Sequence, residues 1–316
     1  MPRRPLFSLL RVLLRRLPLL HRRCSVYERV LPPKDPRRIK AIGNKANALR
    51  GLDRLDESLA LFEAALELGR QVFERDSDDL LVLEGSMAHT LSQLGMHAEA
   101  AEVLERVIEA MERSPLFGPS HESTWAFCVG LGLSLVRLGK FSEAVPLLRD
   151  SLVAYDGMGL GPEHPQLGII PQQLGRALLG AGRAAASLPM FQRCIAFHER
   201  KFGLHHYLIP ESLLFEAEAL GQLGRSFDER LSLLNRAVAI RELSIGREKD
   251  SKRQAYHLSQ ALEKCAMCYE EAGRISEAEA RWVECAAANT KVRLGSQWFL
   301  QGHLRFTVKW PPSIPH

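Results

Sequence analysis

Three groups of residues in this 316-residue chain have types and spacings that could support chemistry. Cys265-Ala266-Met267-Cys268 has the Cys-x-x-Cys spacing of dithiol redox and zinc sites, and Cys285 and His257 are the nearest further ligands. His205-His206, with His164 and His121, offers imidazoles for acid–base work. A row of Asn, Gln, Arg, His and Glu recurs at about 42-residue intervals and offers polar recognition without catalysis. No Ser-His-Asp set, paired-carboxylate motif, phosphate-binding loop or dinucleotide fingerprint accompanies them.

The elements that must carry these residues decide between the readings. Turns recur at Asp53, Gly95, Gly139, Gly182, Gly224 and Gly273, with spacings of 42, 44, 43, 42 and 49. A second family, at Gly118, Gly161, Gly203 and Gly246, has the same period and is offset by about half of it. Two turn families per period mean two helices per repeat. Glycine ends a helix because it accepts the left-handed conformation after the last turn. Ala46, Ala88, Gly132, Gly175, Ala217 and Ala266 fall at one position of the first helix, seven residues before the turn. On the second helix, Ser58, Ala100, Ala144 and Ala278 mark another small position. Phe62, Leu104, Leu148, Phe191, Leu234 and Trp282 follow four residues later, and Ala65, Val107, Ser151, Cys194, Ala237 and Cys285 three beyond those. Small and large residues at these intervals form a buried stripe.

Gly139-Lys140-Phe141-Ser142-Glu143-Ala144 and Gly273-Arg274-Ile275-Ser276-Glu277-Ala278 carry a resemblance to the tetratricopeptide repeat, across roughly residues 39–290. The 42-residue period and Leu160-Gly161-Pro162-Glu163-His164-Pro165 resemble the longer variety found in kinesin light chains. Trp125 stands near the family's usual early aromatic. The resemblance implies an all-α, right-handed α-solenoid of about six helical hairpins that binds a protein or peptide and is not an enzyme. Two irregularities stand out. One extra residue after Gly224 places Arg230 at the small position, and the 27-residue interval from Gly246 to Gly273 lengthens the first helix of the sixth repeat.

The register settles the chemistry. Cys265 takes the place of Leu131 and Leu174, and Cys285 that of Ala65 and Ala237, so the cysteines read as free core thiols with no metal and no cofactor. The histidines fall in turns beside Gly or Pro, where they cap or pack the chain. Polar recognition is left, on the concave face lined by the first helices. The expected groove comprises Asn47, Arg50, His89, Gln93, Arg137, Gln173, Arg176, Glu218, Gln222, Met267 and Glu271, with Glu263 beside them. Its first four repeats are neutral to basic and its last two acidic, which suits a peptide of opposite polarity. Lys40, Asn44 and Asn47 faintly resemble the carboxylate clamp of chaperone-binding repeats. Repeat two supplies Ser86 and His89 instead of the expected partners, so chaperone-tail binding is not expected.

Charge separates the body from its N-terminus. Residues 1–24 hold seven Arg and no acid, and without those seven charges the net +5 becomes −2. A nearly neutral body does not suit a phosphate-backbone binder, so no nucleic-acid partner is expected. Arg4, Arg11, Arg15 and Arg22 share one helical face, and Leu6, Leu9, Leu10, Leu13, Leu17 and Leu20 the other. Interrupting arginines exclude a membrane span and a secretory core. Residues 1–24 are read as a mitochondrial presequence, with Arg22-Arg23-Cys24-Ser25 as the cleavage context. Residues 25–38 are a linker, 39–294 the repeat array, and 295–316 an aromatic tail that caps the last repeat. The expected function is a mitochondrial scaffold or assembly factor. The alternatives are a cytosolic cargo adaptor, for which 25–38 is too short to supply a coiled coil, and an organellar RNA-binding repeat protein.

Overall fold

The computed structural model describes residues 29–244 and 251–293, together with residues 18, 19, 22 and 24–27. The expected targeting helix up to residue 17, the Gly246 turn and the 295–316 tail lie outside the described residues. Helices follow in the order α1 (Pro36–Gly51), α2 (Leu55–Gly69), α3 (Asp78–Gln93), α4 (His97–Arg113), α5 (Glu122–Arg137) and α6 (Phe141–Gly157). Then come α7 (Gln166–Gly180), α8 (Ala184–Phe202), α9 (Ile209–Gln222), α10 (Phe227–Ser244), α11 (Ser251–Glu271) and α12 (Ile275–Arg293). Among the described residues the chain is an all-α solenoid in which consecutive helices pack on one another from α1 to α9, and α11 packs on α12. It divides into two compact units, one up to Ala237 and one from Val238 onward.

The inner turns share one backbone device. Asp53 has φ of +62°, and Gly95, Gly139, Gly182, Gly224 and Gly273 lie between +65° and +89°. The next residue donates its N–H five residues back, as in Met96 to the Leu91 carbonyl at 3.0 Å and Lys140 to the Leu135 carbonyl at 2.9 Å. That bond satisfies a carbonyl the helix end leaves open. Asp53 is the one position where a Cβ is carried through this turn, tolerated because Asp visits the left-handed region more readily than most residues. At the outset, Asp35 accepts the Arg37 backbone N–H at 2.8 Å, and Pro36 supplies the preset φ of a first helical residue. The array therefore starts three residues ahead of the expected 39.

The small positions are where helices meet most closely. A Cβ on Gly132 would stand 2.6 Å from the Leu148 side chain, and one on Gly175 2.6 Å from the Phe191 ring. Phe62, Leu104, Leu148 and Phe191 are fully buried, as the register requires. Trp282 departs from it. Its ring is 37% exposed and its indole N–H donates to Glu270 at 2.7 Å, so it is not one of the buried large partners. Arg230, at the small position, packs its guanidinium 3.0 Å from where a Gly221 Cβ would stand. The lengthened first helix of repeat six is borne out by α11, at 21 residues against 14–16 for the other first helices.

Within the first unit, the first helices of consecutive hairpins touch directly: α1 with α3, α3 with α5, α5 with α7, and α7 with α9. The second helices make no comparable contacts among the described residues. The hairpins splay on the side of the second helices, so the unit curves with its first helices inside. Cys24 is buried, and its thiol donates to the Ala41 carbonyl at 3.2 Å. Residues 24–27 are helical. The Cys24–Ser25 bond thus lies in packed helical backbone, where a protease reaches it only before the array folds.

Candidate functional site: the concave face

The concave residues of the first unit come together in two cationic clusters. In the first, Arg50 donates to the Asn47 amide oxygen at 2.9 Å. Burial lowers the Arg50 pKa, and among the described residues no carboxylate lies within ion-pair distance of it. His89, one repeat on, packs its ring 5.5 Å from that of Phe127. It also lies against Gly130, where a Cβ would stand 2.3 Å from its Cε1. Burial, with the Arg50 charge adding to it, pushes the His89 pKa down to about 3, so the ring is neutral near pH 7. The residue is part-exposed at the face, though most of its ring is packed away.

Arg176 centres the second cluster. Its guanidinium lies 5.1 Å from the centre of the Phe215 ring and 3.3 Å from the Gln173 amide oxygen. Its nearest carboxylate, Glu211, is at 3.9 Å, the outer limit of an ion pair. Burial and the Arg137 charge lower the Arg176 pKa, and the same Arg137 presses on His97, whose pKa is lowered mainly by burial. Arg137 is exposed, as are Gln93 and Gln222, while Glu218 is half-buried. Met267, Glu271 and Glu263 belong to the second unit, where all three are exposed on α11. Phe215 and Glu211 escaped sequence reasoning. Phe215 stands at the same register position as Gln173, nine residues before the turn, and extending the row by that position would have found it.

The other groups that could do chemistry are structural. His121 accepts the Ser123 N–H at 3.0 Å and caps α5. His164 stacks on Tyr155 at 5.4 Å, and His206 on Phe202 at 4.3 Å. All six cysteines are free and buried. Burial pushes the Cys128 and Cys265 thiols up to about 12 and Cys194 to about 11, the reverse of what a nucleophile or ligand needs. Among the described residues no cluster of His, Cys, Asp and Glu is arranged to hold a metal ion, and no helix is long and apolar enough to cross a membrane.

A family profile described as tetratricopeptide repeat matches residues 37–113, and a second of the same description matches 172–208. No curated protein matches the chain. Among solved structures, a Podosopora anserina protein described as a kinesin light chain with nearly identical TPR-like repeats is 22% identical, covering 70% of this chain and 99% of its own, with a TM-score of 0.56. BtubC from P. vanneervenii is 14% identical over 83% of this chain and 99% of its own, with a TM-score of 0.60. Aspartyl phosphate phosphatase F from Bacillus subtilis is 12% identical over 88% and 77%, with a TM-score of 0.54. At these identities the likeness is one of fold. Two stretches of the first unit, 37–113 and 172–208, thus match tetratricopeptide repeats and share one turn design, and the likeness to kinesin light chain-like arrays is one of fold.

Proposed function

We propose that this protein is an interaction scaffold that holds a partner peptide on the concave face of its first unit, and that it works in mitochondria. The reading rests on one observation. Arg50 and Arg176 are largely desolvated cations with weak internal compensation: Arg50 bonds a neutral amide, and Arg176 stands 3.9 Å from its carboxylate. A desolvated charge without a close counterion is unfavourable, and a ligand carboxylate relieves it. Acidic residues of the peptide therefore lie along Arg50, Arg137 and Arg176. Basic residues extend toward Glu211 and Glu218. Neutral His89 between the clusters adds a hydrogen-bonding group without charge. The fold supports binding in general, since tetratricopeptide arrays present such faces to proteins and peptides.

The test of binding is an immobilised peptide panel graded from acidic to basic, probed with the full chain and with Arg50→Ala and Arg176→Ala. Each substitution should weaken capture of the acidic peptides by about tenfold or more, the range of a charge-assisted contact. Equal capture by all three proteins would refute the concave site. For location, residues 1–30 fused to a reporter should enter mitochondria, and retention in the cytosol would remove the organelle from the reading. Proximity labelling that enriches one enzyme or complex supports an assembly role, whereas enrichment of transcripts alone would overturn it.

A further inference from the structure

The splayed second helices leave gaps on the convex side, and charges close all of them in the first unit but one. Between α2 and α4, buried Glu84 of α3 receives Arg106 at 2.8 Å and Arg70 at 3.6 Å. Between α6 and α8, Arg193 pairs with Asp156. Between α8 and α10, Arg236 pairs with Glu199. These residues occupy two register positions. The later helix supplies Arg106, Arg193 or Arg236, and the earlier one supplies Arg70, Asp156 or Glu199.

At the α4–α6 gap those two positions hold Asp150 and Glu112, like charges facing one another. No ion pair crosses this gap among the described residues. It is instead a groove of about 380 Å³, floored by Trp125, Ile108, Leu131 and Leu147. Glu105 and Glu109 extend the acidic rim along α4. Glu109 and Asp150 bond only cations of their own helix, Arg113 and Arg149, and Glu105 and Glu112 have no cationic partner among the described residues. The Glu112 charge reaches the floor, where it adds to the effect of burial in raising the Cys128 thiol. An apolar floor under an acidic rim calls for a segment with one apolar and one cationic side.

We infer that residues 3–16 of this chain dock in the groove between α4 and α6. They read RRPLFSLLRVLLRR, with Arg4, Arg11 and Arg15 on one helical face and Leu6, Leu9, Leu10 and Leu13 on the other. The leucines meet Trp125 and Leu147, and an arginine stands between Glu112 and Asp150 where the other gaps hold their own. The segment leads through residues 17–23 into Cys24, whose thiol bonds the Ala41 carbonyl of α1, and the groove lies over α5, two hairpins along the same unit. The docking belongs to the uncleaved chain and withholds the basic segment from any other receptor until something displaces it.

Trypsin provides the test, applied to the full chain at dilute concentration. Docking slows cleavage at Arg11, Arg15 and Arg16. Asp150→Arg supplies the missing cross-gap partner for Glu112, as the other repeats do. It should speed cleavage of the leader at least fivefold while the melting temperature holds or rises. Glu105→Lys with Glu112→Lys should do the same, as should about 0.5 M salt, which screens an exposed rim. Arg176→Ala, on the concave face, should leave the rate unchanged, which separates this inference from the peptide groove. Equal rates in the parent and Asp150→Arg chains would overturn it. So would protection that vanishes on dilution, since the leader would then be held by a second copy.

Discussion

His89 gives the concave face a pH signature that can be calculated. Its folded pKa of about 3 lies far below the ordinary 6.5, through burial first and the Arg50 charge second. The unfolded chain therefore binds a proton between these values that the folded chain refuses. Stability from this group is fully present above about pH 6.5 and is lost as the pH falls toward 3. At pH 5 the unfolded histidine is mostly protonated and the folded one is not, and the penalty is about 2 kcal/mol at 1.36 kcal/mol per pH unit. His89→Gln removes the titration. It also removes the ring packed on Phe127 and Gly130, but that loss is the same at both pH values and cancels in the comparison. The assay is urea unfolding followed by far-ultraviolet circular dichroism at pH 7.5 and pH 5.0. The parent should lose about 2 kcal/mol more than His89→Gln on going to pH 5, above the common background from His206, whose pKa burial lowers to about 4. Parallel losses in the two proteins would show that His89 is solvated and that the desolvated concave cluster does not exist. An acidic peptide bound beside Arg50 should oppose the Arg50 charge, raise the His89 pKa and reduce the difference.

The remaining predictions concern the frame that holds this face. Phe191→Ala empties a fully buried site and should cost about 3–5 kcal/mol, read as a lower urea midpoint. Gly132→Val places carbon where Leu148 already stands 2.6 Å away and should cost about 1–3 kcal/mol by overpacking, with a fall in melting temperature; an unchanged midpoint would mean the helices can separate at that point. With iodoacetamide at pH 8, Cys128, Cys194 and Cys265 should stay unmodified by mass spectrometry until urea unfolds the chain, because thiols held near 11 to 12 are only about one part in a thousand to one in ten thousand thiolate there.

The periodicity made the fold readable before any coordinates. Turn residues, small positions and large partners each recur, and a solenoid repeats one local solution, so every repeat is a separate check on the register. Trp282 shows where that logic stops. A register assigns burial by assuming a neighbour on each side, and residue 282 stands on the last helix among the described residues. The concave row was legible as a row, but its energetics were not. Arg50 and Arg137 look alike in sequence; one is desolvated against Asn47 and the other is exposed. They stand three and two residues before their turns, and that one-residue step along the helix turns Arg137 toward solvent.

The convex gaps reverse this relation between sequence and structure. Asp150 stands where aligned repeats carry Arg106, Arg193 and Arg236, and the exception is visible in the sequence alone. It carries no meaning until the second helices are seen to splay, because only then do the two register positions face each other across open space. An isolated ion pair on such a surface adds little stability, about 0–1 kcal/mol. Its absence from one gap is therefore cheap for the fold, and an acidic groove can persist there without compensating packing. The frame of the array is fixed by Gly132, Gly175 and the fully buried Phe62, Leu104, Leu148 and Phe191. A charge reversal at residue 150 leaves all of these in place, which lets that gap differ from its neighbours in what it can hold without differing in how it is built.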